Sequence, residues 1–266
     1  MIRGIVFFIF FQVLFCNVQG QNLGFSIAGG KKKVQIPIEI HNNLIVIPVV
    51  LNDALPLKFI LDTGVRTAIL TQKTFSDILD LQYTRKYTIS GPGGQNLVDA
   101  YITNNVSLEL PGVHGRGHAM LVLGQDYLEL RNYLGTDVHG ILGYELFSRF
   151  IIQVDYEKKM LTLMLPEKFR KHRRFQALPI SIEDTKPYII IPIVFENGTT
   201  MNAKLLIDSG ASHGLMLEPT SDSIIQVPKN AVSSLLGRGL GGEIVGKAGR
   251  VKSVRLGEYE LENVIA

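Results

Sequence analysis

The sequence predicts an all-β, mainly antiparallel fold made of two related halves, and three observations carry that prediction. Short apolar segments alternate with turns rich in Gly, Pro, Asn and Asp. Helical periodicity is scarce. One pattern, apolar strand, polar turn, apolar strand and Asp-[Thr/Ser]-Gly, occurs twice in register. With 266 residues, 46% of them hydrophobic and 19% charged, the chain can form one large domain or two small ones.

Residues 1–20 stand apart from this pattern. Arg3 precedes an apolar run from Ile5 to Phe15, and "VQG" before Gln21 supplies small residues at a cleavage spacing, the signature of a secretory signal peptide. The run is too short for a comfortable membrane span. Bulky Phe15 argues against lipid attachment at Cys16, and an uncleaved anchor is the lesser alternative. Cleavage removes Cys16, the one cysteine, and with it any thiol nucleophile, disulfide or thiolate metal site. It also removes Arg3 and no acid, so the net charge falls from +3 to +2, too little for a nucleic-acid surface. The histidines form no HExxH, and His114 and His118 lie in a Gly-rich stretch unsuited to a helix, so no metal site is expected.

Among the elements, "KVQIPIEIHNNLIVIPVVLN" (33–52) alternates apolar and polar residues and is rich in β-branched side chains, as paired strands are. A short helix is expected over 71–81, capped by Thr71 and using Phe75, Ile78 and Leu79; a second is expected over 143–150. "LIVIPVVLNDALPLKFILDTGVRTAIL" (44–70) is matched by "YIIIPIVFENGTTMNAKLLIDSGASHGLML" (188–217). Asp62 and Asp208 are 146 residues apart, as are Leu108 and Val254, which marks a duplication. The basic run "KFRKHRRF" (168–175) lies between the copies and reads as a solvated linker. Copy one continues through "HGILGYELFSRFIIQVDYEKKMLTLML" (139–165), for which copy two has no counterpart before Ala266; this points to a longer protein, with a naturally reduced second lobe as the alternative. The sequons at 105–107 and 197–199 read as turns.

A carboxylate ending a buried strand is costly if ionised. Two of them, meeting across a pseudo-twofold axis between the copies, could share one proton and titrate as a pair. One would serve as general base toward a water while the other, protonated, polarises a carbonyl. Gly64 and Gly210 allow tight turns, and the hydroxyls of Thr63 and Ser209 can fix the carboxylate or the facing loop. The sequence does not say which Asp is acid and which is base.

"ILDTGVRTAIL" (60–70), "LLIDSGASHGLML" (205–217) and "ILG" (141–143) resemble the retropepsin-like aspartic proteases, over nearly all of 27–266. The most similar type is bacterial, carries a signal peptide and has two retropepsin-like lobes in one chain, often followed by a PDZ domain. The resemblance implies closed-barrel lobes in tandem: a first over 27–166, a basic linker at 167–177, and a C-terminally incomplete second over 178–266. It implies "ILG" crossing beneath the first catalytic turn, Asp62 and Asp208 as the catalytic pair, and no cofactor or metal. Gly-rich flaps are implied at 90–101 and 236–246, with Gly93, Gly94, Gly241 and Gly242 as tips. The substrate would be a peptide or protein, met by an exported enzyme acting as an intramolecular pseudo-dimer. Membrane proximity would come only through an uncleaved signal segment. Val65-Arg66 departs from the family pattern, and Arg66 could either pair with a carboxylate or point outward. Two alternatives remain: a silent module that binds peptides by strand addition, and a homodimer working through Asp62 alone.

Overall fold

The computed structural model describes residues 23–94 and 96–266, so the expected signal peptide lies outside the described residues. The first copy contains β1 (Gly24–Ile27), β2 (Lys33–Pro37), β3 (Glu39–His41), β4 (Leu44–Leu51), β5 (Leu55–Leu61), β6 (Ala68–Leu70), α1 (Lys73–Ile78), β7 (Tyr83–Ile89), β8 (Val98–Val106) and β9 (Leu108–Glu109). It continues through β10 (Val113–Arg116), β11 (His118–Leu123), α2 (Leu130–Leu134), β12 (Gly140–Leu142), α3 (Tyr144–Phe147), β13 (Ile151–Asp155) and β14 (Met160–Met164). The second copy contains β15 (Ser181–Glu183), β16 (Lys186–Val194), β17 (Thr200–Leu206), β18 (Val232–Gly239), β19 (Gly242–Ala248), β20 (Arg250–Leu256) and β21 (Tyr259–Ile265). The protein is mostly β and its strand pairs are mainly antiparallel, as the alternating pattern predicts.

A nine-stranded sheet dominates the first copy, in the order β3-β4-β5-β12-β6-β11-β8-β7, with β9 paired to β4. Asn42 and Asn43, at φ 46° and 66°, make the two-residue turn between β3 and β4 that favours hairpin twist. The sheet is open, which corrects the expectation of a closed barrel. Its last strand, β7, exposes five of its seven residues. That strand runs outward as one arm of a hairpin instead of curling back to the short β3.

Ile36, Ile47, Phe59, Leu142 and Leu146 are fully buried at the centre of the first copy, the product of alternating strands folded over one another. The second copy has a separate, smaller core of Ile191, Ile193, Ala203, Val251 and Val254. Its strands form two further sheets, β15-β16-β20-β21 with β17 on β16, and β18-β19; among the described residues no sheet spans both copies. Residues 166–184, which carry the basic run, are exposed throughout and lack regular structure from 169 to 180.

Two helix expectations need amendment. Gln72, not Thr71, occupies the cap position of α1, and it makes no side-chain capping bond. Thr71 is buried and its hydroxyl donates to the His139 carbonyl at 3.0 Å, a tertiary bond that displaces the local one. α2 was not expected; Leu130 and Leu134 bury one face and Gly135, at φ 68°, ends it.

Candidate active site

The first Asp-Thr-Gly turn is held from beneath by β12. That strand lies between β5 and β6, parallel to the first and antiparallel to the second. The Asp62 amide donates to the Leu142 carbonyl at 2.9 Å, and the Tyr144 amide to the Val65 carbonyl at 2.8 Å. Thus "ILG" crosses under the turn, with Gly143 so close to the Asp62 and Val65 carbonyls that a Cβ would overlap them.

Each carboxylate is fixed within its own turn in the same way. The Gly64 amide donates to Asp62 Oδ1 at 2.6 Å, and the Gly210 amide to Asp208 Oδ1 at 2.8 Å. The two turns then grip each other. Thr63 Oγ1 donates to the Ile207 carbonyl at 2.5 Å and accepts from the Ser209 amide at 3.0 Å. Reciprocally, Ser209 Oγ donates to the Leu61 carbonyl at 2.8 Å and accepts from the Thr63 amide at 3.1 Å. Each hydroxyl uses both its donor and an acceptor site, so four hydrogen bonds join the two turns, across 144 to 148 residues of sequence.

This exchange brings the carboxylates together. The Asp62 carboxyl group lies against Gly210 so closely that any Cβ there would overlap it. Asp62 is half-buried while Asp208 is exposed. Burial pushes the Asp62 pKa up to about 6; repulsion from the Asp208 charge and a hydrogen bond with that carboxyl add to the rise. The Gly64 amide and the nearby Lys186 charge oppose it without cancelling it.

The two halves are unequally supported. β17, which leads into the second turn, pairs with β16 alone among the described residues. Leu61, just before Asp62, is 1% exposed, whereas Ile207, just before Asp208, is 39% exposed. Leu70 is 0% exposed against 50% for Met216, its counterpart in the repeat.

Both glycine-rich stretches form hairpins, β7–β8 and β18–β19. Their tips touch. The Gly241 amide donates to the Pro92 carbonyl at 2.8 Å, and Asn96 Nδ2 donates to the Gly241 carbonyl at 3.0 Å. Gly93 (φ 99°), Gly94 (φ 140°) and Gly242 (φ 126°) adopt backbone angles that side chains resist.

Reasoning from sequence did not anticipate the joined tips or the nearness of Lys186. Their signals were a proline and an asparagine among tip glycines and a lysine directly after a hairpin turn, none of which indicates a partner. Arg66 lies 3.8 Å from Asp184 on the surface and does not pair with Asp62 or Asp208. His114 pairs with Glu109, while His118 is buried against Phe25 and faces Glu145. Among the described residues no group of three potential metal ligands occurs, and no helix is long and apolar enough to cross a membrane.

A family model described as "Aspartyl protease" matches residues 47–146 and 191–266, one stretch in each copy. The chain belongs to the aspartyl protease family. Among solved structures, this aspartyl protease family member is similar to a retropepsin-like aspartic protease from Rickettsia conorii. The two are 22% identical, with 52% of this chain and 92% of that one covered, at a TM-score of 0.34. No curated protein sequence matches.

Proposed function

We propose that the chain is an aspartic endopeptidase in which Asp62 and Asp208 form one catalytic pair. The observation that carries this reading is the four-bond exchange between Thr63 and Ser209, which brings one Asp turn from each copy to a common centre. The pair shares a proton, and the deeper burial of Asp62 keeps it there up to about pH 6.

Ionised Asp208 takes a proton from a water as the water oxygen bonds to the scissile carbonyl carbon. Asp62 gives its proton to the carbonyl oxygen, and a neutral tetrahedral diol results. Asp62, now ionised, then takes a diol proton, Asp208 gives its proton to the leaving nitrogen, and the C–N bond breaks. Asp62 is then protonated and Asp208 ionised, as at the start. No covalent acyl-enzyme forms.

The hairpin tips Gly93–Gly94 and Gly241–Gly242 cover the peptide, which lies between them and the pair. Export by cleavage after residue 20 and a lobe organisation of 27–166 and 178–266 belong to the same proposal. The weak support beneath Asp208, seen in exposed Ile207 and Met216, favours the peptide-binding module as second reading. Cleavage of unstructured peptides separates them. Asp62→Asn and Asp208→Asn should each abolish turnover, with wild-type rate per chain independent of protein concentration. Binding without cleavage would leave the module. Full activity in Asp208→Asn, rising with concentration, would leave the homodimer.

A further inference from the structure

The two hairpins are attached to the body in different ways. Arg238, in β18, reaches out of the second copy: its Nε donates to the Tyr127 carbonyl at 2.9 Å and Nη2 lies 2.8 Å from Glu129 Oε1. Both acceptors belong to the segment leading into α2 of the first copy. Glu243 stands opposite Arg238 in the hairpin register. One turn further along α2, Tyr133 Oη lies 3.0 Å from Ser212 Oγ, four residues past Asp208, and Asn43 Nδ2 donates to the Ser212 carbonyl at 3.1 Å. The α2 segment therefore contacts both the second hairpin and the loop after the second Asp turn.

Among the described residues, the first hairpin has no such anchor on the opposite copy. Its charged residues Lys86 and Asp99 pair with each other at 2.9 Å. The Asp99 amide donates to Tyr127 Oη at 3.2 Å, within its own copy. Among the described residues, its hydrogen bonds to the second copy are the two at the tip, through the Pro92 carbonyl and Asn96. Two neutral bonds separate more readily than a planar guanidinium shared between a carbonyl and a carboxylate.

We propose that Arg238 is a positioning residue that clasps the second hairpin to the α2 segment, so that the cleft opens by movement of the first hairpin alone. Opening breaks the Gly241–Pro92 and Asn96–Gly241 bonds and leaves the second hairpin as a fixed wall. This rests on the reading of the hairpins as substrate covers, but its test does not need catalysis. A molecule with two different hairpins can divide the roles in this way, whereas two identical hairpins would open alike.

Amide hydrogen exchange on the full chain, followed by mass spectrometry, reads each hairpin separately. In the wild type, peptides covering 90–97 should exchange faster than those covering 236–243. Arg238→Ala should speed exchange of the second hairpin about tenfold, the loss expected for a charge-assisted pair. Glu129→Gln, which leaves the carbonyl contact, should do so by less, and the exchanged pair Glu129→Arg with Arg238→Glu should recover part of the protection. Asn96→Ala should speed only the first hairpin. In peptide cleavage, Arg238→Ala should raise KM more than it lowers kcat, which a general loss of fold would not do. Equal exchange of the two hairpins in the wild type, or unchanged exchange in both Arg238→Ala and Glu129→Gln, would overturn the clasp. The predicted exchange pattern without any peptide cleavage would instead retain the clasp and remove the protease reading.

Discussion

Replacing Asp62 by Asn should stabilise the protein at neutral pH. The folded state holds the Asp62 proton up to about pH 6, whereas the unfolded chain releases it near 3.8. Between those values the native state binds more protons than the unfolded one, so stability falls as pH rises and levels off above about 6. A raise of this size corresponds to about 3 kcal/mol of destabilisation when the group is ionised. Asn carries no charge, and its carbonyl oxygen can still accept the Gly64 amide bond now made to Asp62 Oδ1. The variant should therefore gain up to about 3 kcal/mol at pH 8, or about 5–10 °C in Tm, and almost nothing near pH 3.5. Urea unfolding of both proteins at the two pH values measures this. Equal destabilisation of Asp62→Asn at both would refute the reasoning, because the carboxylate would then be contributing native contacts and not a buried charge.

Gly210→Ala should abolish cleavage, since its methyl would overlap the Asp62 carboxyl group; Gly214→Ala, with open space around its Cβ, is the control, and rates with a common peptide compare them. Thr63→Val and Ser209→Ala should each cost about 1–3 kcal/mol of stability, because each removes a donor and an acceptor shared between the copies. Their double variant should cost less than the sum, a coupling that denaturant titrations of all three variants would show. The rate of peptide cleavage should fall about tenfold per pH unit above about 6, as the Asp62 proton is lost. A rate flat to pH 9 would contradict the acid role.

What could be read from the chain alone was what neighbouring residues encode. Alternation in 33–52 foretold paired strands, which are β2, β3 and β4. The helix expected over 71–81 survives as Lys73–Ile78, shortened because Thr71 is drawn to His139. Contacts that depend on how the copies sit together could not be read. The Thr63 and Ser209 hydroxyls were expected to fix the carboxylate or the facing loop; that they reach the Ile207 and Leu61 carbonyls of the other copy is set by the packing of the two turns. Nothing near Arg238 in the sequence signals its acceptors, Tyr127 and Glu129, which lie in the other copy. Barrel closure was inferred from resemblance, and the outward course of β7 is a property of this chain's hairpin.

The central claim is that carboxyl groups from the two copies form one proton-sharing site. Titration of the Asp62 side chain by carboxyl-carbon NMR, in wild type and in Asp208→Asn, tests it most directly. Asp62 should titrate near pH 6 in the wild type and lower once the facing charge is removed. An Asp62 that titrates near pH 4 in both proteins would contradict the account.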